Sequence, residues 1–160
     1  MDELIAIAAQ IAQRLVARKQ TIAVAESSAG GLIAASLLAV PGASAYFLGG
    51  AVVYTRDARR VLMDIPDDAM RGIRSASEPY AGLLARQIKT RFATDWGLSE
   101  TGAAGPTGNR YGDAAGHACF AVAGPASGVI TLESGSSDRF ANMQLFARTA
   151  LELLLRNLDE

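Results

Sequence analysis

The stretch 21–31, TIAVAESSAGG, sets the expectation for the fold. An apolar run with the character of a strand stops at an acid, two serines and a glycine pair, and a helical pattern follows. A strand that passes through a glycine turn into a helix leaves backbone N–H groups unpaired at that turn. The stretch therefore predicts a site for an anion or an oxyanion, with Ser27 at the carboxyl end of a strand, where sites of open α/β sheets lie. The alternative is that Ser27 or Ser28 is only a helix N-cap.

Working outward from this stretch, apolar periodicity and turn residues divide the rest of the chain into helices and strands. Helices alternate with strands early and a hairpin comes late, which predicts one α/β domain over residues 1–160, with helices on both faces of a mixed, mostly parallel sheet. Thr55 and Ser77 are the predicted N-caps of two of the helices. The predicted helices are 2–19, 30–39, 56–63, a helix from the Ser77 cap to Phe92, and 138–157. The predicted strands are 21–25, 49–54, 98–101, 117–123 and 129–134.

Composition excludes several classes of function. Fifteen basic and sixteen acidic side chains give a net charge of −1, which does not favour capture of nucleic acid or of an anionic membrane. The acidic start and the lack of a long apolar segment predict a cytoplasmic protein. The single cysteine, Cys119, excludes an internal disulfide and is expected to be a buried core thiol. With His117 it makes only two potential ligands, too few for a metal site.

Three polar or glycine-rich loops follow three predicted strands, at 26–31, 55–59 and 102–113. If the strands are parallel neighbours, these loops meet at one edge of the sheet. They would then supply a serine, a tyrosine, arginines and many backbone donors. That set of groups suits acyl transfer on a substrate that bears a phosphate.

A serine nucleophile needs a base, and the sequence offers few. The only histidine, His117, lies inside a predicted strand, which favours a core or edge position. The only lysines, Lys19 and Lys89, fall on helices expected to be largely solvated. Tyr54 remains a candidate proton relay, and equally an aromatic residue half in the core at the end of a strand.

Five separated motifs carry a resemblance to a known family. They are AESSAGG at 25–31, VPGAS at 40–44, GGAVVYT at 49–55, SASE at 75–78 and TGAAGP at 101–106. In order and spacing they resemble the CinA C-terminal domain family over nearly the whole chain. The resemblance implies a compact three-layer α/β/α sandwich, alone or fused to a nucleotide-binding domain, and a homo-oligomer. It also implies an amidohydrolase that converts nicotinamide mononucleotide and water to nicotinic acid mononucleotide and ammonia without a metal or cofactor.

The resemblance also assigns roles to single residues. The family's nucleophilic serine falls on Ser27, its tyrosine on Tyr54, and the position one turn after that tyrosine on Arg59, which we take as the catalytic set. Arg139, before the last helix, would pair with phosphate. The substrate-binding positions implied are Glu26, Ser28, Gly30, Gly31, Thr101, Gly102, Ala104, Gly105 and Arg139.

Two departures from the family pattern bear on function. Deamidases carry a lysine where this chain has Arg59, and arginine stays protonated, so it cannot accept the serine proton. The usual Cys-Thr pair after the serine is Ser28-Ala29 here. Three hypotheses follow: an amidohydrolase on a pyridine mononucleotide slowed by roughly 10²–10⁴-fold, a nucleotide-binding or regulatory domain without that activity, and a hydrolase of another amide or ester.

Overall fold

A computed structural model describes residues 1–160. The sequence pattern explains where its helices begin and end. Thr55 and Ser77 accept hydrogen bonds from the N–H groups of Ala58 and Tyr80, and so both act as the N-caps expected of them. The helices are α1 (Asp2–Arg18), α2 (Leu32–Leu38), α3 (Arg56–Met63), α4 (Glu78–Phe92) and α5 (Arg139–Leu158), with 3₁₀ turns at Ala43–Ala45 and Asp67–Met70.

The strands form one mixed sheet in the order β2-β1-β3-β4-β5. β1 pairs in parallel with both β2 and β3, while β4 is antiparallel to β3 and to β5. Four strands therefore run in one direction and β4 alone runs against them, which makes the mixed, mostly parallel sheet that the sequence predicts. The strands are β1 (Ile22–Glu26), β2 (Phe47–Val52), β3 (Trp96–Ala103), β4 (His117–Ala123) and β5 (Gly128–Glu133).

Helices cover both faces of the sheet, which makes three layers. The larger core, of 25 buried residues, lies between the sheet and α1, α2 and α5. On the other face α4 lies against β1, β3 and β4, and α3 packs beside it. No helix combines the length and the apolar character needed to cross a bilayer.

Several element boundaries differ from the sequence prediction by one or two residues, and three of these differences have a clear physical reason. α2 begins at Leu32 and not at Gly30, because both preceding glycines have positive φ (69° and 101°). β2 begins at Phe47, which pairs with Ile22 ahead of a register shift. β3 runs on to Ala103, so the predicted glycine loop starts inside the sheet. Gly102 permits this, since a Cβ there would lie 2.5 Å from the carbonyl oxygen of His117.

Candidate active site

A cavity of about 540 Å³ opens at the carboxyl ends of β1, β2 and β3. The three parallel strands end at the same edge of the sheet, as their order predicts. Ser27 reaches the cavity from the end of β1, Tyr54 from beyond β2, and Thr101 and Gly102 from β3, and Arg59 joins them from α3. The structure thus brings five of the sequence-predicted site residues together.

The cavity carries an excess of positive charge. Four arginines line it, against one carboxylate, Asp67. Asp67 is shared, because it pairs with both Arg56 and Arg59. Arg110 has no carboxylate within 4.0 Å, and Arg74 pairs with Asp113 beside the cavity. A cluster of this sign suits an anionic ligand.

Arg59 is the most enclosed of these arginines. Its side chain is 9% exposed, its Nη2 group donates to Asp67, and its Nε group donates to the carbonyl of Ile65 at 3.4 Å. The guanidinium of Arg59 therefore already has an anionic partner, which it shares with Arg56. This pairing was not visible in the sequence, because Asp67 lies in a 3₁₀ turn beyond the helix.

The N-terminus of α2 is not available to a ligand, contrary to the sequence prediction. The buried carboxylate of Glu26 accepts from the N–H groups of Gly31, Ile33 and Ala34 at 2.8, 3.1 and 2.9 Å. Burial raises the pKa of Glu26, and these three bonds oppose that rise. Glu26 thus satisfies the helix end itself, and neither Ser27 nor Ser28 is its N-cap.

A second buried carboxylate, that of Glu100 in β3, binds the turn formed by residues 27–29, called the serine turn below. It accepts from the backbone N–H groups of Ser27 and Ala29, both at 2.9 Å, and from the hydroxyl of Ser28. Glu100 is fully buried, and that burial raises its pKa to about 7 despite the three hydrogen bonds. Glu100 was not among the predicted site residues, although an acid inside the predicted strand 98–101 was a signal.

These two carboxylates reduce the number of N–H groups that are free for the predicted oxyanion site. Within residues 27–31 the N–H groups of Ser27, Ala29 and Gly31 bind carboxylates, and that of Gly30 binds the carbonyl of Ser27. Only the N–H of Ser28 makes no hydrogen bond within the protein. The hydroxyl of Ser27, unlike that of Ser28, likewise has no protein partner.

Seven of the predicted substrate contacts do not line the cavity. Arg139 stands at the rim, where it donates to the carbonyl of Gly105 and, at 3.1 Å, to the hydroxyl of Tyr54. The buried Ala104 is bonded through its carbonyl to Asn142. The predicted contacts that do not line the cavity are Glu26, Ser28, Gly30, Gly31, Ala104, Gly105 and Arg139.

The wall that carries Arg110 comes from the predicted glycine-rich loop at 102–113, which reaches the edge of the sheet as expected. Asn109 and Asp113 close this loop on each other, with the Asn109 Nδ2 group 2.8 Å from an Asp113 oxygen. Asp113 is clamped by Arg74 through contacts of 2.7 and 3.2 Å. The ring of Tyr111 lies 5.2 and 5.1 Å from the guanidinium carbons of Arg74 and Arg110, within range of cation–π attraction. The loop thus adds a cation and an aromatic ring to the cavity.

His117 and Cys119 lie in β4, away from the cavity lining. The Nε2 of His117 is 2.7 Å from the carbonyl of Ala76, and its Nδ1 is 2.5 Å from Glu133. Both partners accept hydrogen bonds and together they raise the pKa of His117, so the contacts favour the protonated ring, in which both nitrogens donate. His117 does not line the cavity and is therefore not placed to take the Ser27 proton. Cys119 is buried, as predicted, and burial raises the pKa of its thiol.

Fold and site together define an α/β domain with an arginine-lined cleft at the end of parallel strands. The chain belongs to the CinA C-terminal domain family, whose model matches residues 4–158. It is 37% identical over 155 residues to a CinA-like protein of Thermosynechococcus vestitus, a match that spans 95% of this chain and 37% of that protein. A CinA-like protein of Desulforapulum autotrophicum is 34% identical, over 93% of this chain and 36% of its own length. The chain thus spans little more than a third of these relatives.

Solved structures of similar length match as well. A competence/damage-inducible protein, CihA, of Agrobacterium tumefaciens has a TM-score of 0.90 and 26% identity, covering 99% of this chain and 96% of its own. A competence-damaged protein (CinA) superfamily protein of Escherichia coli has a TM-score of 0.89 and 25% identity, over 96% and 89%. The three-layer fold expected from the sequence is the fold of these proteins.

Proposed function

We propose that this protein is an amidohydrolase that removes the amide nitrogen of nicotinamide mononucleotide, and that it does so slowly. The observation that carries the proposal is the Ser27 hydroxyl, free of protein partners, at the edge of an arginine-rich cavity. A phosphate-bearing substrate matches the charge of that cavity, and the resemblance to CinA-type deamidases supplies the pyridine carboxamide. The cavity volume of about 540 Å³ lies within the range of roughly 300–1,000 Å³ usual for small-molecule sites.

In the proposed reaction the Ser27 oxygen attacks the carboxamide carbon and loses its proton. The resulting tetrahedral oxyanion would accept a hydrogen bond from the N–H of Ser28, the residue after the nucleophile being the usual donor in serine hydrolases. The side chain of Ser28 is bonded to Glu100 and does not line the cavity, so only its backbone, beside Ser27, would take part. The amide nitrogen gains a proton and leaves as ammonia, and an acyl ester remains on Ser27. Water then cleaves the ester, which releases nicotinic acid mononucleotide and restores the hydroxyl.

The slow rate follows from the groups around Ser27. Arg59, at the position of the family's lysine, cannot deprotonate, and Asp67 already pairs with it. Proton removal is then left to water or to Tyr54, which lines the same cavity. The loss of a positioned base costs about 10²–10⁴-fold in rate.

A second candidate function rests on that same pairing. A cavity that keeps its cations but has no neutral amine suits a domain that binds a nucleotide without turning it over. In that case the phosphate-bearing ligand would be held by Arg110 and the neighbouring arginines and released unchanged.

One experiment separates the two functions. Ammonia release from nicotinamide mononucleotide is followed for the wild type, for Ser27→Ala and for Ser127→Ala, a matched control in the β4–β5 hairpin. The proposal expects release by the wild type and the control and none by Ser27→Ala. Binding of the same nucleotide by calorimetry, without ammonia from any form, would instead establish the binding function.

A further inference from the structure

We propose that Glu100 is a positioning residue for Ser27, and that its ionised carboxylate holds the serine turn in the arrangement that the reaction needs. The inference deepens the proposed function, because it names the group that organises the nucleophile. Glu100 lies on β3, the strand next to β1, and its carboxylate reaches across to the turn that follows β1. No substrate contact is assigned to it, since it is fully buried.

The geometry of this contact carries the proposal. Three consecutive residues donate to one carboxylate: Ser27 and Ala29 through backbone N–H groups and Ser28 through its hydroxyl. The two anchored N–H groups flank the Ser28 N–H, which has no protein partner. Glu100 therefore fixes the peptide groups on both sides of the one donor left for an oxyanion.

Only the ionised form of Glu100 can make all three contacts as an acceptor. A carboxyl protonated at the oxygen that faces Ser28 would donate to the Ser28 hydroxyl, so this hydrogen bond would reverse its direction. Protonation also removes the negative charge that strengthens the two backbone hydrogen bonds from Ser27 and Ala29, and so it loosens the turn. Glu100 acts as a switch on the nucleophile while it remains outside the cavity.

The surroundings of Glu100 place this switch near neutral pH. Burial raises its pKa to about 7, against the three hydrogen bonds that favour the charged form. The only charged group that acts on it is Glu26 of β1, whose like charge adds to the rise. From the serine turn it meets neutral donors only, and no charged side chain of α2 or α5 influences its pKa.

The direct test is a pH titration of the ¹⁵N-labelled protein by NMR. The amides of Ser27 and Ala29 are expected to shift together with one midpoint of about 7. The Glu100→Gln variant should lose this shared titration, and Ser28→Ala should move its midpoint upward, because it removes a hydrogen bond that stabilises the carboxylate. Asp159→Asn, far away at the end of α5, should change nothing. The amides of Gly31 and Ala34 report on Glu26 separately.

Ammonia release supplies the functional readout. The acidic limb of the wild-type kcat profile should follow the same midpoint, while KM changes less than about twofold. Glu100→Gln should lower kcat about tenfold and remove the limb.

If no form releases ammonia, the proposed function fails and the amide titration still decides the role of Glu100. Separate titrations of Ser27 and Ala29, or a shared one that persists in Glu100→Gln, would overturn the proposal. Should that variant not fold, the wild type and Ser28→Ala decide the question.

Discussion

The guanidinium of Arg59 is held by the carboxylate of Asp67, which pairs with Arg56 at the same time. This relationship changes what a lysine at position 59 would do. An amine next to a carboxylate keeps a high pKa and stays protonated, so its ability to act as a base depends on Asp67. Restoring the family's lysine and removing the neighbouring charge are therefore coupled changes.

We predict that Arg59→Lys alone changes ammonia release from nicotinamide mononucleotide less than about threefold, because Asp67 keeps the new amine charged. The double variant Arg59→Lys with Asp67→Asn should raise the rate on the order of 10²-fold, at the low end of the range for general-base catalysis. Steady-state assays at pH 8 measure both. Asp67→Asn alone is the matched control, and an equal gain from it would show that the amine is not the base.

We predict that the cavity prefers nicotinamide mononucleotide to the free nucleoside by roughly 1–3 kcal/mol, because its arginines favour a doubly charged group. Arg110→Gln should weaken nucleotide binding about tenfold and leave nucleoside binding nearly unchanged, since Arg110 lacks a carboxylate partner. Isothermal calorimetry measures the four affinities. Arg148→Gln, which alters an exposed ion pair of α5, serves as control. An equal loss for nucleotide and nucleoside would place the phosphate away from Arg110.

The contact between His117 and Glu133 should make stability depend on pH. Burial opposes a charge on His117, but hydrogen bonds to Glu133 and to the Ala76 carbonyl outweigh it and raise the pKa of His117; Asp113 adds to the rise. Because the pKa of His117 is higher in the folded protein than in the unfolded chain, the charged ring stabilises the fold. This stabilisation is complete below the pKa of the unfolded chain, about 6.5, and is lost as the pH rises through the pKa of the folded protein.

We therefore predict that Glu133→Gln lowers the melting temperature by about 2–4 °C at pH 6, the shift expected for roughly 1 kcal/mol in a chain of this size. The difference from wild type should shrink toward pH 9. Thermal unfolding followed by circular dichroism across that range provides the measurement. Glu152→Gln, an exposed glutamate paired with Arg148, should show a difference that does not vary with pH. A constant difference for Glu133→Gln as well would mean that His117 is neutral.

Much of the fold could be predicted from the sequence because the relevant signals are local. The caps Thr55 and Ser77, the apolar strand before Glu26 and the late hairpin each follow from neighbouring residues. The order of three parallel strands then places Ser27 and Tyr54 at one cavity without further information.

The contacts that define the site's chemistry were harder to predict, because each joins residues distant in the chain. Glu100 reaches Ser27 across 73 positions, and Arg74 reaches Asp113 across 39. For this reason the sequence predicts more free N–H groups at the oxyanion site than the structure has. A glycine turn indicates free N–H groups, but the sequence does not show that buried Glu26 and Glu100 bind most of them.

The last prediction tests the packing of α4 on the sheet. Gly97 of β3 lies under α4, and a Cβ there would stand 2.1 Å from the carbonyl oxygen of Ala85. The backbone of α4 cannot yield that much, so Gly97→Ala should destabilise the protein by about 3 kcal/mol, at the upper end for overpacking. Gly82, inside α4, is the matched control, since a Cβ there would meet only the end of the Arg86 side chain at 3.0 Å. Gly82→Ala should stabilise the helix by about 0.5–1 kcal/mol. Urea unfolding of both variants measures the free energies of unfolding, which should change in opposite directions. A Gly97→Ala protein as stable as wild type would show that α4 is free to move away from β3.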